Sequence, residues 1–394
     1  MGAIEVVIVA GSRTPQGRVN GQLSSLTAVQ LGAAAITGAL ARAGVAPEQV
    51  DSVLMGQVLQ AGCGQNPARQ SAIGAGIPWN VPAMTLNKVC LSGLAAVVDA
   101  ARLIRLGEAN VVVAGGQESM SQAPHLLPGS RQGWPYGSVT ALDHAAHDGL
   151  TDAFDGLSMG ISTERVNGKL GIDRLAQDEI AAASHQRAAA ATAAGIFDDE
   201  ITPIEVPQRK GAPLVISADE GIRGDSTTET LGRLRPAFAT DGTITAGNSS
   251  PLSDGASAVV VASRAWAEEH GLSWLAVVEA SGHVAGPDNS LHSQPANAIA
   301  HALGRAGWTA ADLDVVEINE AFAAVALQST AELGLSSDRV NIHGGGIAIG
   351  HPIGASGARL TLHAALELAR RGGGKAAVSL CGGGGQGDAL LLSR

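Results

Sequence analysis

ALARAGVAPEQVDSVLMG, from Ala39 to Gly56, and ALGRAGWTAADLDVVEIN, from Ala302 to Asn319, align without a gap at an offset of 263 residues. The two stretches share Ala-Leu, Arg-Ala-Gly, an Asp (Asp51, Asp314) and a Val (Val53, Val316) at matching positions. Each reads as the end of a helix, a glycine stop (Gly44, Gly307), a short link and a β-rich strand. A second echo follows at nearly the same offset: SGLAAVVDAARLIRLGEANVVVAGG from Ser92 and SGARLTLHAALELARRGGGKAAVSLCGG from Ser356. Both are a Ser-Gly helix start, a long Ala/Leu helix, a glycine-rich stop and an apolar strand of the buried kind. Self-similarity at a fixed offset marks a duplicated architecture. It predicts two homologous α/β halves, each a sheet covered by helices.

The unrepeated part is the middle of the chain. Residues 1–118, completed by 251–272, form the first half and residues 273–394 the second, with 119–250 as an inserted loop domain between them. The insertion carries Pro/Gly/His-rich loops (SQAPHLLPGSRQGWPYG), a helical patch from Arg174 to Gly195 and a long polar stretch from Thr202 to Thr245. Loops borne on a rigid scaffold are where substrates are commonly held.

Composition bounds the function. A chain of 394 residues with 45% hydrophobic content has ample material for large cores, and with only 15% charged and 3% aromatic residues its Ala- and Gly-rich helices pack tightly, with surface left for other subunits. An oligomer is expected. The net charge of −11 and the lack of any Lys/Arg run argue against nucleic acid. Cys63, Cys90 and Cys381 make an odd set without a CxxC pair, which suggests neither disulfides nor zinc and points to a reducing, cytoplasmic setting. MGAIEVVIVAGSRTP reads as a first strand and turn, not a signal peptide. Met1-Gly2 invites an acylation reading, but Val6 stands where Ser or Thr is needed. No apolar run is long enough to span a membrane.

Cys90 sits where an extended run, VPAMTLNKV, turns into a helix whose Leu94, Val97, Val98, Ala101 and Ile104 share one face. Unpaired N–H groups and the positive dipole end at such a place are expected to lower a thiol pKa and hold a nucleophilic thiolate. Free cysteine is also among the most buried residue types, so position alone leaves a packing role open. Three later segments bear on the choice. Glu317-Ile318-Asn319-Glu320 puts polar groups at a strand end where the first copy has Leu54-Met55-Gly56-Gln57; they build a site or cap the next helix. In NIHGGGIAIGHPIGASGAR, Asn341 to Arg359, glycines and a proline hold His351 in a tight turn before a helix, where a base for a thiol can stand, although a lone histidine in a turn is more often a surface or internally satisfied one. LCGGGGQG, from Leu380, formally matches GxGxxG, but too few residues follow to make a dinucleotide fold. It supplies instead Cys381 at a strand end with free backbone N–H groups after it. If the halves pack with twofold pseudosymmetry, the Cys90 turn faces its sister, the His351 turn, and Cys90, His351 and Cys381 converge.

Nine stretches, in order and spacing, match one family: GSRTP, GQVLQAGCGQNPARQ, NKVCLSG, GGQESMSQAPH, LRPAF, AGNSS, NEAFA, GGGIAIGHPIGASGAR and CGGGGQG. Along essentially its whole length the chain resembles a thiolase of the acetyl-CoA C-acetyltransferase type. The resemblance implies a five-layered α/β/α/β/α fold, a homotetramer built as a dimer of dimers, and acetyl-CoA, acetoacetyl-CoA and CoA as ligands with no cofactor and no metal. It assigns Cys90 as the acyl-carrying nucleophile, His351 as its base and Cys381 as the acid/base at the second acetyl-CoA. Asn319 would hold a catalytic water that, with His351, binds the thioester oxygen; the N–H groups of Cys90 and Gly383 would form the other oxyanion hole. Ser250 and Met159 match pantetheine contacts, Phe322 lies beside the acyl pocket, Phe238 is a further substrate contact and Arg223 a contact near the nucleotide end. Two positions depart from the family: Ser158, often His in biosynthetic members, and Leu91, where Gly or Ala is frequent. The alternatives are a thiolase of broader chain length, a ketoacyl synthase of the same duplicated fold, and a non-catalytic acyl-CoA-binding scaffold; a Cys rather than a second His in CGGGGQG favours thiolase.

Overall fold

A computed structural model describes residues 4–394, so the Met1-Gly2 pair lies outside the described residues. The main sheet contains β1 (Val6–Arg13), β2 (Ser52–Gly56), β3 (Ala83–Leu86), β4 (Val111–Ser119), β5 (Ser253–Ser263), β6 (Ala276–Ala285), β7 (Val315–Ile318), β8 (Lys375–Gly382) and β9 (Gln386–Ser393). Their spatial order is β7-β8-β9-β6-β1-β5-β4-β2-β3. From β7 to β2 that order is a palindrome about the β6–β1 junction, with β7 answering β2, β8 answering β4 and β9 answering β5. The duplication read from Ala39 and Ala302 is therefore a physical one. The junction is thin, pairing only Val7 with Val277 and Ile8 with Ala276. Even β3 has a remnant counterpart: Val53 pairs parallel with Ala83, and its sister Val316 makes an isolated parallel bridge to Val340.

Helices complete the layers. α1 (Ala28–Ala43) covers the outer face of the first half and α5 (Gln294–Ala306) that of the second, while α2 (Ser92–Arg105) and α7 (Ser356–Arg371) pack on each other between them. The result is the expected α/β/α/β/α stack. Its middle layer is a continuous apolar core in which Leu94, Val97 and Ile104 of α2 meet Leu360 and Leu368 of α7, roofed by Val259 of β5 and Val378 of β8. The glycine stops behave as read: Gly44 and Gly307 end α1 and α5 in the left-handed region, at φ 65° and 70°.

The two halves approach tightly around the two Ser-Gly starts. A Cβ on Gly357 would stand 2.3 Å from the main-chain nitrogen of Leu94, and one on Gly93 would stand 2.8 Å from the carbonyl oxygen of Gly354. The same carbonyl would be 1.9 Å from a Cβ on Gly116 and 2.8 Å from one on Gly56. The sister helix starts thus touch backbone to backbone, which only glycine permits.

In the middle of the chain, α4 (Arg174–Ala193) occupies the helical patch read from sequence, and α3 (Met159–Leu170) is a helix that the reading missed. Weak apolar periodicity hid α3; its punctuation is clear, since Ser158 Oγ accepts from the Ile161 N–H at 3.3 Å and Gly171 ends it at φ 68°. Among the described residues no helix is long and apolar enough to cross a membrane.

Two glycine substitutions separate these roles. Gly357→Ala, which drives a methyl into the Leu94 backbone, is expected to destabilise the fold by about 3 kcal/mol, the overpacking range. Gly304→Ala, in α5 with nothing within 4 Å of the new methyl, is expected to stabilise by about 0.5–1 kcal/mol through helix propensity. Denaturant unfolding measures both, and equal effects would contradict the crossing geometry.

Candidate active site

The approach of the two helix starts places the turns that precede them side by side. Val89 adopts φ 52°, a left-handed conformation costly for a β-branched residue. Three bonds hold it there: the Val89 N–H donates to Asn87 Oδ1 at 2.9 Å, the Lys88 N–H to Ser92 Oγ at 2.8 Å, and Ser92 Oγ to the Val89 carbonyl at 2.6 Å. This turn lifts Cys90 into a pocket of about 290 Å³ that is also lined by His351, Cys381 and Gly383. Leu91, the family departure, points the other way. It is fully buried in the middle core and covers Gly382, where a Cβ would lie 2.7 Å from Leu91 Cγ.

The thiolate expectation for Cys90 does not hold. Burial pushes the thiol up to about 12, and the N–H groups of Cys90 and Gly383, which pull it down, offset only part of that. Cys90 precedes the helix, with Leu91 at the cap position, and its surroundings are apolar: Val89, Met120 and Ile353. Desolvation outweighs the dipole. The two N–H groups nevertheless converge at the sulfur, which is the arrangement an oxyanion hole needs.

His351 follows Gly350, whose φ of 122° and 2.8 Å virtual contact with Ser253 Oγ exclude a side chain. The His351 N–H donates to that same Ser253 hydroxyl at 3.0 Å. Ser356, sister of Ser92, sets the ring. Its Oγ donates to the Pro352 carbonyl at 2.9 Å and lies 2.6 Å from His351 Nδ1, so Nδ1 carries the proton and Nε2 keeps its lone pair. Burial, and then the Arg359 guanidinium, hold the imidazole down at about 4. At neutral pH it is a base. The Ser-Gly echo carried the signal for Ser356, but a role came only with the geometry.

Asn319 and Glu320 do not cap α6 (Ala323–Glu332), which has Phe322 at its cap position and no side-chain cap. Asn319 is fully buried, and its Nδ2 lies 3.3 Å from His351 Nε2. Glu320 accepts from Ser184 Oγ at 2.6 Å and Asn341 Nδ2 at 2.9 Å, tying β7 to α4 and to the glycine-rich turn. Cys381 is the last residue but one of β8, paired opposite Gly387, and LCGGGGQG folds as a hairpin with no helix after it. Its turn needs glycine, since a Cβ on Gly385 (φ 67°) would meet the Asp288 carbonyl at 1.9 Å. Burial, and then the neighbouring Cys90, push the Cys381 thiol well above the ordinary range.

The rest of the pocket comes from the middle of the chain and from the second half. Met159, Phe238, Ser250 and Phe322 all line it, with the Phe238 and Phe322 rings edge to face at 6.2 Å. Ser250 Oγ donates to the Ala321 carbonyl at 3.1 Å, leaving its lone pairs free to accept. Ser158 also lines the pocket while capping α3, so the second family departure has a local structural use. Arg223 is not brought to this chamber; it is exposed, with its N–H donating to His185 Nδ1 at 3.2 Å. Glu118 was missed altogether. Buried at the end of β4, it accepts from the N–H groups of Val58, Leu59 and Gly354 at 3.0, 3.0 and 2.9 Å and so joins turns of both halves.

Comparison with known proteins agrees with this geometry. Residues 6–265 match the thiolase N-terminal domain and residues 272–394 the thiolase C-terminal domain. A probable acetyl-CoA acetyltransferase of Mycolicibacterium smegmatis is 59% identical over 388 residues, covering 98% of this chain and 100% of the relative. One from Mycobacterium tuberculosis is 59% identical, covering 98% of each chain. An acetyl-CoA acetyltransferase of Cupriavidus necator is 51% identical, covering 99% of each. Two domain matches that together span the duplicated fold, and relatives this similar from end to end, make the chain a member of the thiolase family.

Proposed function

We propose that the chain is an acetyl-CoA C-acetyltransferase that joins two acetyl-CoA into acetoacetyl-CoA and CoA, or reverses that reaction, through an acetyl thioester on Cys90. The observation that carries this reading is the meeting of Cys90, His351, Cys381 and the Gly383 N–H in one apolar chamber. In the first half-reaction His351 Nε2 takes the Cys90 proton as the sulfur attacks the thioester carbonyl. The N–H groups of Cys90 and Gly383 hold the oxyanion. CoA leaves as a thiolate and takes a proton from Cys381, so that acetyl-Cys90, protonated His351 and the Cys381 thiolate remain.

That thiolate is a strong base because its burial disfavours charge, which suits a weak carbon acid. It removes the α-proton of the second acetyl-CoA, while protonated His351, together with the water that the resemblance gives to Asn319, supports the enolate oxygen. The carbanion attacks acetyl-Cys90, the oxyanion returns to the same hole, and the released Cys90 sulfur recovers its proton from His351. Every group ends as it began. CoA thioesters are substrates, and no cofactor enters. Ser250 and Met159, which line the chamber, are assigned to the pantetheine arm, and the exposed Arg223 to the distal nucleotide, as the resemblance implies.

A broader chain-length thiolase is the second reading. The wall around Cys381, made of Ile244, Leu291, Phe322 and Val325, favours short acyl groups. The exposed Trp134, Tyr136 and Phe154, together with Trp79 beside the open edge strand β3, favour the homotetramer. Three free cysteines fit a cytoplasmic location.

Cys90→Ser is expected to abolish acetyl-enzyme formation and to cut turnover on the order of a thousandfold or more. Cys381→Ala should still acetylate, since a thiolate leaves readily, but should not condense; joint loss of both steps would contradict the separate roles. Thiolysis rates on 3-ketoacyl-CoAs of increasing length should fall steeply beyond acetoacetyl-CoA, and a flat series would favour the broader enzyme. For the free enzyme, thiolate absorbance attributable to Cys90 (wild type minus Cys90→Ser) should be absent at pH ~8.5, where a free cysteine is half ionised. Because His351 must be neutral to act and is held at about 4, acylation should persist as pH falls through ~6.5 and fail only near 4. An acid limb at the ordinary imidazole value would contradict that assignment.

A further inference from the structure

Two residues before the nucleophile, Lys88 leaves the first half of the molecule and ends in the second. Its Nζ lies 2.7 Å from each carboxylate oxygen of Asp388. Asp388 is 1% exposed and belongs to β9, paired opposite Leu380 on one side and His283 on the other. It is therefore next to the Cys381–Gly387 pair and three residues beyond the turn that supplies the Gly383 N–H. A third bond completes its shell, from His283 Nδ1 at 2.8 Å. The tautomer follows from the far side of that ring: Arg102 Nη2, which can only donate, is 2.9 Å from His283 Nε2, so Nε2 accepts and Nδ1 carries the proton to Asp388. Asp388 thus receives the Lys88 ammonium on both oxygens and an imidazole N–H on one.

The two N–H groups of the oxyanion hole sit on opposite sides of this link. Cys90 supplies one from the strained Val89 turn and Gly383 the other from the β8–β9 hairpin, whose halves of the molecule are otherwise joined in the sheet by only two residue pairs. A Cβ on Gly383 would lie 3.4 Å from Val89 Cγ1, so the two loops touch but are not bonded there. We infer that the Lys88–Asp388 ion pair is a positioning device for the oxyanion hole, holding the Cys90 turn and the Gly383 hairpin at the separation where both N–H groups reach one oxygen. A charge-assisted pair with one partner fully buried has the strength and the geometry for that task. Neither side chain lines the pocket, so both act through the backbone they hold.

The inference rests on the acyl-transfer reading, and its test is built to fail separately from it. Lys88→Met, with Lys88 about one-third exposed, is the primary variant, and all rates are taken per folded molecule, the folded fraction being read from the circular dichroism of the same sample. Alkylation of Cys90 by iodoacetamide needs no oxyanion hole and should stay within about twofold of wild type. Acetylation by acetyl-CoA should fall by about tenfold to a hundredfold, somewhat less than the loss of a whole hole donor, with KM nearly unchanged. Lys88→Arg should recover most of the rate. Asp388→Asn should match Lys88→Met, and the double variant should lose no more than either single one. Acetylation unchanged in Lys88→Met, acetylation and alkylation falling equally, or additive losses in the double variant would each overturn the inference. If wild type forms no acetyl-enzyme, or Cys90→Ser still does, it is the acyl-transfer reading that fails.

Discussion

The constraint on which everything else depends is the contact between the starts of α2 and α7. Two helices that begin 264 residues apart meet at Gly93 and Gly357. The gain is more than packing: because each helix is entered from a turn, the crossing brings together two turns that no local interaction could have paired. One carries Cys90 and the other His351. The palindromic sheet follows the same operation, with its strands ordered outward from the thin β6–β1 seam. With so little hydrogen bonding across the seam, the helix layer and the buried carboxylates Glu118 and Asp388 carry much of the registration between the halves.

The chamber formed there does its acid–base work through dryness. The same apolar walls push both thiols up and the imidazole down, so the three groups rest uncharged together. Charge then exists only while a substrate is being handled, where fixed N–H donors meet it at once. A standing thiolate–imidazolium pair would need solvation that these walls do not provide. The neutral arrangement also explains why the ring is held so firmly: with Nδ1 tied to Ser356 and Nε2 facing Asn319, one tautomer alone fits.

Much of this was legible in the residues. The two echoes disclosed the halves, their matching strands and helices and the facing turns, because a repeated pattern encodes its own symmetry. Glycines marked the helix stops, but that the run after Cys381 turns back as a hairpin shows only in the pairing of β8 with β9. What stayed hidden was whatever depends on a distant partner. The direction of the Cys90 shift was misjudged because helix position is visible in sequence while the apolar lining, drawn from Met120 and Ile353, is not. The polar residues at 319 and 320 were equally suited to capping, and only the path of the chain through Phe322 decides against it. α3 was lost among polar residues although Ser158 and Gly171 bracket it. Glu118 and the Lys88–Asp388 pair leave no local mark at all, since each partner looks like an ordinary surface charge.

The carbonyl of Gly354, threaded between Gly56, Gly93 and Gly116, has a consequence for stoichiometry. By the spacing that relates Ser92 to Ser356, Gly354 is the counterpart of Cys90. A side chain there would start 2.9 Å from the Cα of Gln57 and 2.9 Å from Glu118 Oε2. The twofold-related position is thus occupied by main chain and closed to any nucleophile. Although the molecule is built twice over, on the proposed chemistry it carries a single acyl group per chain: the second copy of the scaffold has become the wall against which the first one works.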